Sequence, residues 1–418
     1  MNEQPANPTS PLNGPAVADA SVAESLIQQI DSPPQPQEQT QPMANEQFDA
    51  DVIVIGSGPG GYVGAIRAAQ LGAKTICVEK EYLGGTCLNW GCIPSKALIA
   101  AVERLSHVKH ADKLGVKVEG NVSVDFDAMM KRKQKIVETN RGGVGMLFKK
   151  NGVQHVEGFA KFKDAHTIEV TKDGETKTLR AKNFILASGS SVIHLPIPGL
   201  EGNKGREDDV WTSDEAVTAH KVPKSMVILG GGAVGCEFGY VFNGLGSEVT
   251  LVEMMPNLLP LMDTDLGVEL GKLLGRQGIK VKTGSTIEKC EKGKNGWKVT
   301  IKKGSETETI EVETILLGVG RKANTEGMGL EEIGVKLHRR GVEVVDDSLR
   351  THVPNIFAIG DVTGRIQLAH VASHEGIVAV TNALRGESKL VDYKCVPNAV
   401  YTSPEVASVG LTQSEAES

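Results

Sequence analysis

A strand, a glycine-rich loop, a helix, a second strand and an acid follow one another early in the chain. Residues 51–55 (Asp-Val-Ile-Val-Ile) form an apolar run typical of a buried strand, and Gly-Ser-Gly-Pro-Gly-Gly follows directly at 56–61. Residues 62–71 predict a helix whose small residues lie close to a sheet, and residues 75–78 predict a second strand ending at Glu79. The fingerprint glycines are Gly56, Gly58 and Gly61. We therefore expect a dinucleotide with its pyrophosphate at the helix start and its ribose at Glu79.

The same pattern returns in the second half of the chain. Residues 225–229 predict a strand, a glycine loop occupies 230–235, and a second strand at 248–252 ends at Glu253, which lies 23 positions past Gly230. The fingerprint glycines here are Gly230, Gly232 and Gly235. Two complete units predict an α/β fold with two Rossmann-like dinucleotide-binding domains.

The second unit favours NAD over NADP. A carboxylate at Glu253 can accept hydrogen bonds from a free ribose 2′-hydroxyl, and it would repel a 2′-phosphate. No arginine cluster follows it, because Met254, Met255 and Pro256 come next.

Two cysteines, Cys87 and Cys92, lie five positions apart shortly after the first unit. In a regular helix this spacing separates the Cα atoms by roughly 8–9 Å, whereas a disulfide needs about 4.4–6.8 Å. A bonded pair therefore requires a distorted segment, for which nearby glycines supply freedom, with Pro94 in the first turn of a following helix. Two buried free thiols are the alternative.

Charge and composition exclude several classes of protein. The 418 residues carry a formal charge of −7, and all of it falls in residues 1–50, which hold seven acids and no Lys or Arg. This pattern gives no footprint for nucleic acid. No apolar run approaches the length of a membrane span. Six scattered cysteines do not make a secreted disulfide framework, so we expect a cytoplasmic protein.

Residues 1–47 contain eight of the 18 prolines and are expected to be a disordered leader. One capping box begins at Ser21 and could start a short helix. Met43 is an alternative start of the protein, just before the folded part.

The cysteine segment at 84–96, placed directly after the first nucleotide unit, resembles that of the pyridine nucleotide–disulfide oxidoreductases. The resemblance covers about residues 49–418 and implies FAD in the first unit, NAD in the second and a redox-active disulfide beside the flavin. The form of the segment looks most like members that oxidise dihydrolipoamide. Such members serve the lipoyl domains of 2-oxo acid dehydrogenase or glycine cleavage complexes and form homodimers.

The resemblance assigns roles to individual residues. Cys87 would exchange with substrate and Cys92 would face the flavin, while Lys96 would lie near the flavin and pair with Glu237. The other cofactor-binding residues that the resemblance implies are Ser188, Gly189, Ser190, Gly320, Asp361 and Ala369. No metal is expected, because His370 and His374 share a helix face without a third ligand.

The resemblance also divides the chain. We expect the leader at 1–47, the first part of an FAD-binding domain at 48–194, an NAD-binding domain at 195–320, a central domain returning to FAD at 321–394 and the start of an interface domain at 395–418. This α+β interface domain would be incomplete, since the family's version continues further and carries a His–Glu acid–base pair. We expect a truncated chain for that reason.

Two alternatives to a dihydrolipoamide-oxidising enzyme stay open. One is a related reductase of glutathione or mercuric ion. Most glutathione enzymes use NADP, however, and Glu253 disfavours NADP binding. The other is a catalytically incomplete fragment that binds FAD and NAD without turnover.

Overall fold

Strands and helices alternate through residues 47–201 and 209–418, the part of the chain that the computed structural model describes. The features expected at Ser21 and Met43 lie outside the described residues. The strands are β1 (Ala50–Ile55), β2 (Thr75–Glu79), β3 (Gln154–Glu157), β4 (Phe159–Asp164), β5 (Thr167–Lys172), β6 (Glu175–Leu186), β7 (Ser190–Val192), β8 (Val210–Trp211), β9 (Ser225–Leu229), β10 (Glu248–Glu253), β11 (Lys280–Thr283), β12 (Thr286–Gly293), β13 (Gly296–Lys303), β14 (Glu306–Val312), β15 (Thr314–Leu317), β16 (Arg321–Ala323), β17 (Leu337–His338), β18 (Gly341–Val342), β19 (Ile356–Ala358), β20 (Asn398–Val400) and β21 (Val406–Ser408). The helices are α1 (Pro59–Gln70), α2 (Gly85–Asn89), α3 (Cys92–Lys109), α4 (Phe126–Asn151), α5 (Ser213–Val217), α6 (Ala233–Leu245), α7 (Thr264–Arg276), α8 (Ala369–Arg385) and α9 (Gln413–Glu417).

The first sheet has the strand order β3-β2-β1-β6-β5-β4, with β19 also paired to β6. Strands β1, β2 and β3 run parallel, and the second half of β6 runs parallel to both β1 and β19. The first half of β6 instead pairs antiparallel with β5. The chain therefore returns to the first sheet through β19, about 300 residues after it started there, and delivers the following residues to the same edge.

The second sheet has the order β11-β10-β9-β15-β8, and all of its pairings are parallel. A separate antiparallel sheet, β12-β13-β14, lies between its strands in sequence. Parallel strands joined by helices leave the carboxyl ends of β9 and β10 at one edge, as in β1 and β2 of the first sheet. The prediction of an α/β fold with two Rossmann-like units is confirmed.

Helix α1 packs closely on helix α8, which was not expected from the sequence. A Cβ atom added at Gly60 would lie 2.7 Å from the Ala372 carbonyl oxygen, and one at Gly376 would lie 2.4 Å from the Gly60 carbonyl oxygen. At Gly64 the nearest atom, the Gly376 carbonyl oxygen, would be 3.3 Å away. These glycines thus permit a close helix–helix contact rather than contact with the sheet.

Helices α3 and α6 connect the two nucleotide units. A Cβ atom added at Gly244 of α6 would lie 2.3 Å from Cγ1 of Val102 in α3. Around this contact lies a buried apolar cluster made of Leu98, Ile99, Val102, Tyr240 and Val241. The helix that begins at the second cysteine is therefore held against the helix that begins at the second glycine loop.

The last described segment pairs β20 with β21 and ends in α9. Val400 and Val406 pack into the core of the second unit. Thr412 and Glu415 form a capping box at the start of α9, since the side chain of each bonds the other residue's backbone N–H. None of the helices in the described ranges is long and apolar enough to cross a membrane.

Candidate active site

The cysteine pair lies where two helices meet at a break in the backbone. Helix α2 ends at Asn89, with Trp90 as its C-cap, and α3 begins at Cys92; the intervening Gly91 has φ −125° and ψ −111°. The break brings the Cα atoms of Cys87 and Cys92 to 4.7 Å, and their sulfurs are bonded. Pro94 lies in the first turn of α3, as expected. The alternative of two free thiols at this position is wrong.

An ion pair joins this segment to the second nucleotide unit. Lys96 Nζ, in the second turn of α3, donates to both carboxylate oxygens of Glu237 on α6 at 2.8 and 2.7 Å. The Glu237 side chain is 7% exposed, and one of its oxygens also accepts from the backbone N–H of Tyr401 at 3.1 Å. The Tyr401 ring lies beneath Lys96 Nζ, 4.6 Å from its centroid. Three segments of the chain thus fix the ammonium group one turn of helix from Cys92.

A cleft of about 1380 Å³ extends along the first glycine loop, the cysteine pair and the start of α6. Typical small-molecule pockets measure roughly 300–1,000 Å³, so an extended ligand has room here. The predicted site residues that line it are Gly56, Gly58, Gly61, Glu79, Cys87, Cys92, Lys96, Ser188, Gly189, Ser190, Glu237, Asp361 and Ala369. The predicted site residues that do not line it are Gly230, Gly232, Gly235, Glu253 and Gly320. The structure therefore separates the predicted residues into two groups, one for each glycine loop.

The three glycines of the first loop have different surroundings. A Cβ atom at Gly56, where φ is +99°, would lie 2.2 Å from the Ala187 carbonyl oxygen, and one at Gly61 would lie 1.9 Å from the Gly56 carbonyl oxygen. By contrast, a Cβ atom at Gly58 would meet nothing within 4 Å. The outer glycines are required by backbone packing, whereas the middle one leaves open space at the start of α1. This open space fits a pyrophosphate that approaches the backbone closely.

The second loop repeats this arrangement. A Cβ atom added at Gly230 would lie 2.4 Å from the Gly318 carbonyl oxygen. One added at Gly235 would lie 1.8 Å from the Gly230 carbonyl oxygen. At Gly232, the residue before α6, nothing lies within 4 Å. Both loops therefore fit a dinucleotide pyrophosphate at a helix N-terminus.

The two fingerprint acids also hold their own loops, which sequence reasoning missed. Each accepts a hydrogen bond from the backbone N–H of the second residue of its glycine loop and another from the N–H two positions after itself. These distances are 2.8 and 3.0 Å for Glu79, and 2.5 and 2.7 Å for Glu253. Both residues are less than 9% exposed. Their carboxylates are thus oriented before any ribose binds.

A further cation, Arg321, lies in the cleft beside Asp361. Its guanidinium donates to the Ser190 hydroxyl at 2.7 Å and to the Ser190 carbonyl at 2.6 Å, and Ser190 in turn donates to Asp361. The same guanidinium reaches the Thr86 hydroxyl at 3.3 Å, next to the first cysteine. Sequence reasoning did not select Arg321 or Thr86, although both adjoin predicted residues, Gly320 and Cys87.

The other cysteines are separated from this chemistry. Cys395 is exposed, and the remaining three are buried: Cys77, Cys236 and Cys290. Burial raises the pKa of each buried thiol, to about 12 for Cys236 and Cys290. No group of three potential metal ligands occurs among the residues that the structure describes. His370 Nε2 instead lies 2.9 Å from the Pro397 carbonyl oxygen.

Thiol titration of the native protein should therefore separate the cysteines by reactivity. We expect a thiol-specific disulfide reagent to react rapidly with Cys395 alone, because a raised pKa leaves the buried thiols protonated. After reduction with dithiothreitol, Cys87 and Cys92 should also react. The Cys395→Ser variant is the control and should show no rapid reaction before reduction. Rapid labelling of a second thiol in the unreduced protein would contradict the assigned disulfide.

Comparison with known proteins gives one consistent result. The sequence model of the family described as pyridine nucleotide-disulphide oxidoreductase matches residues 50–376. The chain is 42% identical over 370 residues to a dihydrolipoyl dehydrogenase of Geobacillus stearothermophilus, covering 88% of this chain and 77% of that protein. It is 43% identical to a mitochondrial dihydrolipoyl dehydrogenase of Schizosaccharomyces pombe, covering 88% and 72% of the two chains.

A solved structure agrees with the sequence relatives. The Cu(II) complex of the HOCl-induced flavoprotein disulfide reductase RclA from Escherichia coli superposes with a TM-score of 0.77 at 27% identity. The match covers 89% of this chain and 79% of that one. With its disulfide in a cleft that runs from the first glycine loop to the start of α6, the chain belongs to the pyridine nucleotide-disulphide oxidoreductase family.

Proposed function

We propose that the protein oxidises protein-bound dihydrolipoamide to lipoamide and reduces NAD⁺, using the Cys87–Cys92 disulfide and FAD. The observation that carries this proposal is the disulfide itself, which lines the cleft next to the first glycine loop and is fixed through α3 to the second. Sequence identity of 42% and 43% to two dihydrolipoyl dehydrogenases supports the substrate.

The residues present fit FAD in the cleft. The open space at Gly58 suits its pyrophosphate, Glu79 suits a ribose, and Asp361 would hold the ribityl chain. Bound there, FAD supplies two-electron transfer between the cysteine pair and the nicotinamide. NAD would bind at the second loop, with its pyrophosphate near Gly232 and its ribose at Glu253.

The cysteine pair takes electrons from the dithiol by exchange. A substrate thiolate attacks Cys87, which forms a mixed disulfide and releases Cys92 as a thiolate. The second substrate thiol, once deprotonated, attacks the mixed disulfide, closes the substrate disulfide and releases Cys87. The substrate thus loses two electrons and two protons. The cysteine pair gains both electrons as its disulfide opens to two thiolates, and the two protons pass to the solvent.

Two features favour the released Cys92 thiolate. Cys92 is the first residue of α3, where unpaired backbone N–H groups and the helix dipole favour negative charge. The Lys96 ammonium lies one turn further along the same helix and is held by Glu237. In this proposal Lys96 and Glu237 orient positive charge at the cysteine–flavin side of the cleft.

The partners follow from the proposed substrate. Lipoyl domains of 2-oxo acid dehydrogenase or glycine cleavage complexes would present the dithiol, in the cytoplasm, to a homodimer of this chain. The domain limits proposed above, 48–194, 195–320, 321–394 and 395–418, are consistent with this arrangement, in which the flavin lies between the first and third segments.

An anaerobic titration of the FAD-loaded protein with dihydrolipoamide and then NAD⁺ tests the function. We expect NADH to form, with NADP⁺ a poor substitute. NADPH-dependent reduction of glutathione disulfide or mercuric ion, without dihydrolipoamide oxidation, would overturn the proposal in favour of a sister reductase. Bound FAD with no turnover of any of these substrates would instead identify a dinucleotide-binding fragment.

Glu253→Ala should relax the choice between NAD and NADP by roughly tenfold, since it removes a ribose acceptor and the repulsion of a 2′-phosphate. The NAD reaction itself should also weaken, because the carboxylate orients the second loop. The measurement is the ratio of kcat/KM for the two nucleotides. Glu248→Ala, an exposed acid on the same strand, is the matched control. An unchanged ratio in Glu253→Ala would count against the ribose role.

A further inference from the structure

A buried carboxylate outside the cleft, Glu375, holds the turn that carries Asp361. Glu375 lies on α8, is 1% exposed and is not among the residues that line the cleft. Its Oε2 accepts a hydrogen bond of 2.5 Å from the backbone N–H of Gly360, the residue before Asp361. Its Oε1 accepts one of 2.7 Å from the Tyr393 hydroxyl. Both oxygens are therefore used inside the protein.

The turn that receives this bond has little tolerance. Gly360 is buried, has φ +67° and begins a short 3₁₀ turn that ends at Thr363. The Thr363 hydroxyl bonds back to the Gly360 carbonyl at 2.8 Å. A buried N–H without an acceptor is costly, so the turn would rotate if the carboxylate were lost. Asp361 follows in the chain and would move with it.

A second layer holds Glu375 in place. The Arg365 guanidinium lies over the Tyr393 ring, 4.4 Å from its centroid, and pairs with Asp347 at 2.6 Å. Burial raises the pKa of the Glu375 carboxyl, and Asp361 adds to the rise while Tyr393 and Arg365 oppose it. A buried acid that is held by two donors and repelled by a second acid costs free energy that packing alone would not require.

We propose that Glu375 is a positioning residue, which fixes the Gly360–Asp361 turn so that Asp361 is presented to the FAD ribityl chain. The inference rests on the proposed FAD role of Asp361. Because Glu375 does not itself reach the cleft, the inference predicts that Glu375 affects FAD binding only through Asp361.

A double-mutant cycle on the holoenzyme tests this inference, with FAD release on serial dilution followed by flavin fluorescence and the bound flavin's visible spectrum as a second readout. We expect Glu375→Ala to raise the FAD dissociation constant at least about tenfold and to broaden the bound spectrum. Asp361→Ala should weaken FAD at least as much. The double variant should be within about twofold of Asp361→Ala, because residues that act through one another are not additive.

Conservative variants separate positioning from packing. Glu375→Gln can still accept from Gly360 and donate to Tyr393, so FAD affinity should stay within about threefold of wild type. Tyr393→Phe leaves the Gly360 bond and should also stay within about threefold. If Glu375→Ala does not fold, Glu375→Met fills the same volume without an acceptor and takes its place in the cycle.

The outcomes are distinguishable. Unchanged FAD affinity in Asp361→Ala would remove the proposed role of Asp361. Weakened FAD in Asp361→Ala with unchanged affinity in Glu375→Ala and Glu375→Met would overturn the role of Glu375 alone. Independent, multiplicative effects in the double variant would also overturn it, as would loss of FAD in soluble Glu375→Gln.

Discussion

Replacement of Cys87 by serine should abolish dihydrolipoamide oxidation, by at least about a thousandfold in kcat, and leave FAD bound. Serine nearly preserves the shape of the side chain but cannot form a disulfide, so the electron pair has no route from the dithiol. FAD binding should persist because the glycine loop, Glu79 and Asp361 are unchanged. Steady-state NADH formation and the flavin content of the purified variant are the measurements.

The same substitution at the exposed thiol is the matched control. Cys395→Ser should retain activity within about twofold of wild type, since surface substitutions away from special features have small effects. Dihydrolipoamide oxidation at the wild-type rate in Cys87→Ser would contradict the redox assignment of the pair. Loss of FAD from that variant would show instead that the segment is needed for cofactor binding.

Matched substitutions in the two glycine loops should have opposite consequences. Gly61→Ala and Gly235→Ala each place a methyl group within 2 Å of a backbone carbonyl oxygen, at 1.9 and 1.8 Å. Each loop must therefore move away from its helix. We expect Gly61→Ala to be purified largely without FAD. We expect Gly235→Ala to retain FAD but to lose at least about a hundredfold in kcat/KM for NAD⁺, because misplacement by about 1 Å has costs of that order.

Flavin content, and NADH formation over a range of NAD⁺ concentrations, test this pair of variants. Gly58→Ala provides a control for the first loop, since nothing lies within 4 Å of its added Cβ atom in the protein. It should fold as stably as wild type and lose FAD affinity only through contact with the cofactor. Loss of FAD from Gly235→Ala, with FAD retained in Gly61→Ala, would reverse the assignment of the two loops.

The local units could be predicted because their information is local. Each unit, made of a strand, a glycine loop, a helix, a second strand and its final acid, fits within about thirty residues. Each of these parts meets a known backbone requirement. Helix α1 begins at Pro59 rather than at Tyr62, since Gly58 caps it and proline suits a first turn. The disulfide required a break in the helix, and Gly91 provides it.

Apart from the Lys96–Glu237 pair, which the family resemblance implied, the contacts described here between distant segments could not be predicted. Gly64 was expected to face a sheet, and Gly60 to belong only to the glycine loop, because nothing near them in sequence points to α8, about 300 residues away. Glu375 follows the histidines at the start of α8, and a glutamate there would be expected on the surface, yet it is buried. Arg321 enters the cleft only because β16 pairs with β7, which brings its guanidinium to Thr86. Such partners are set by the assembled sheets and not by spacing.

The contact between Val102 and Gly244 lets the size of one residue affect how the disulfide and the second glycine loop are placed relative to each other. Helix α3 begins at Cys92 and α6 begins at the second glycine loop, and a side chain at position 244 must displace Val102 or move these two helices apart. We therefore expect a larger residue at position 244, which lies outside the cleft, to slow the reduction of NAD⁺. Replacing Gly244 by alanine and then by valine would change in steps how closely dithiol oxidation is coupled to NAD⁺ reduction.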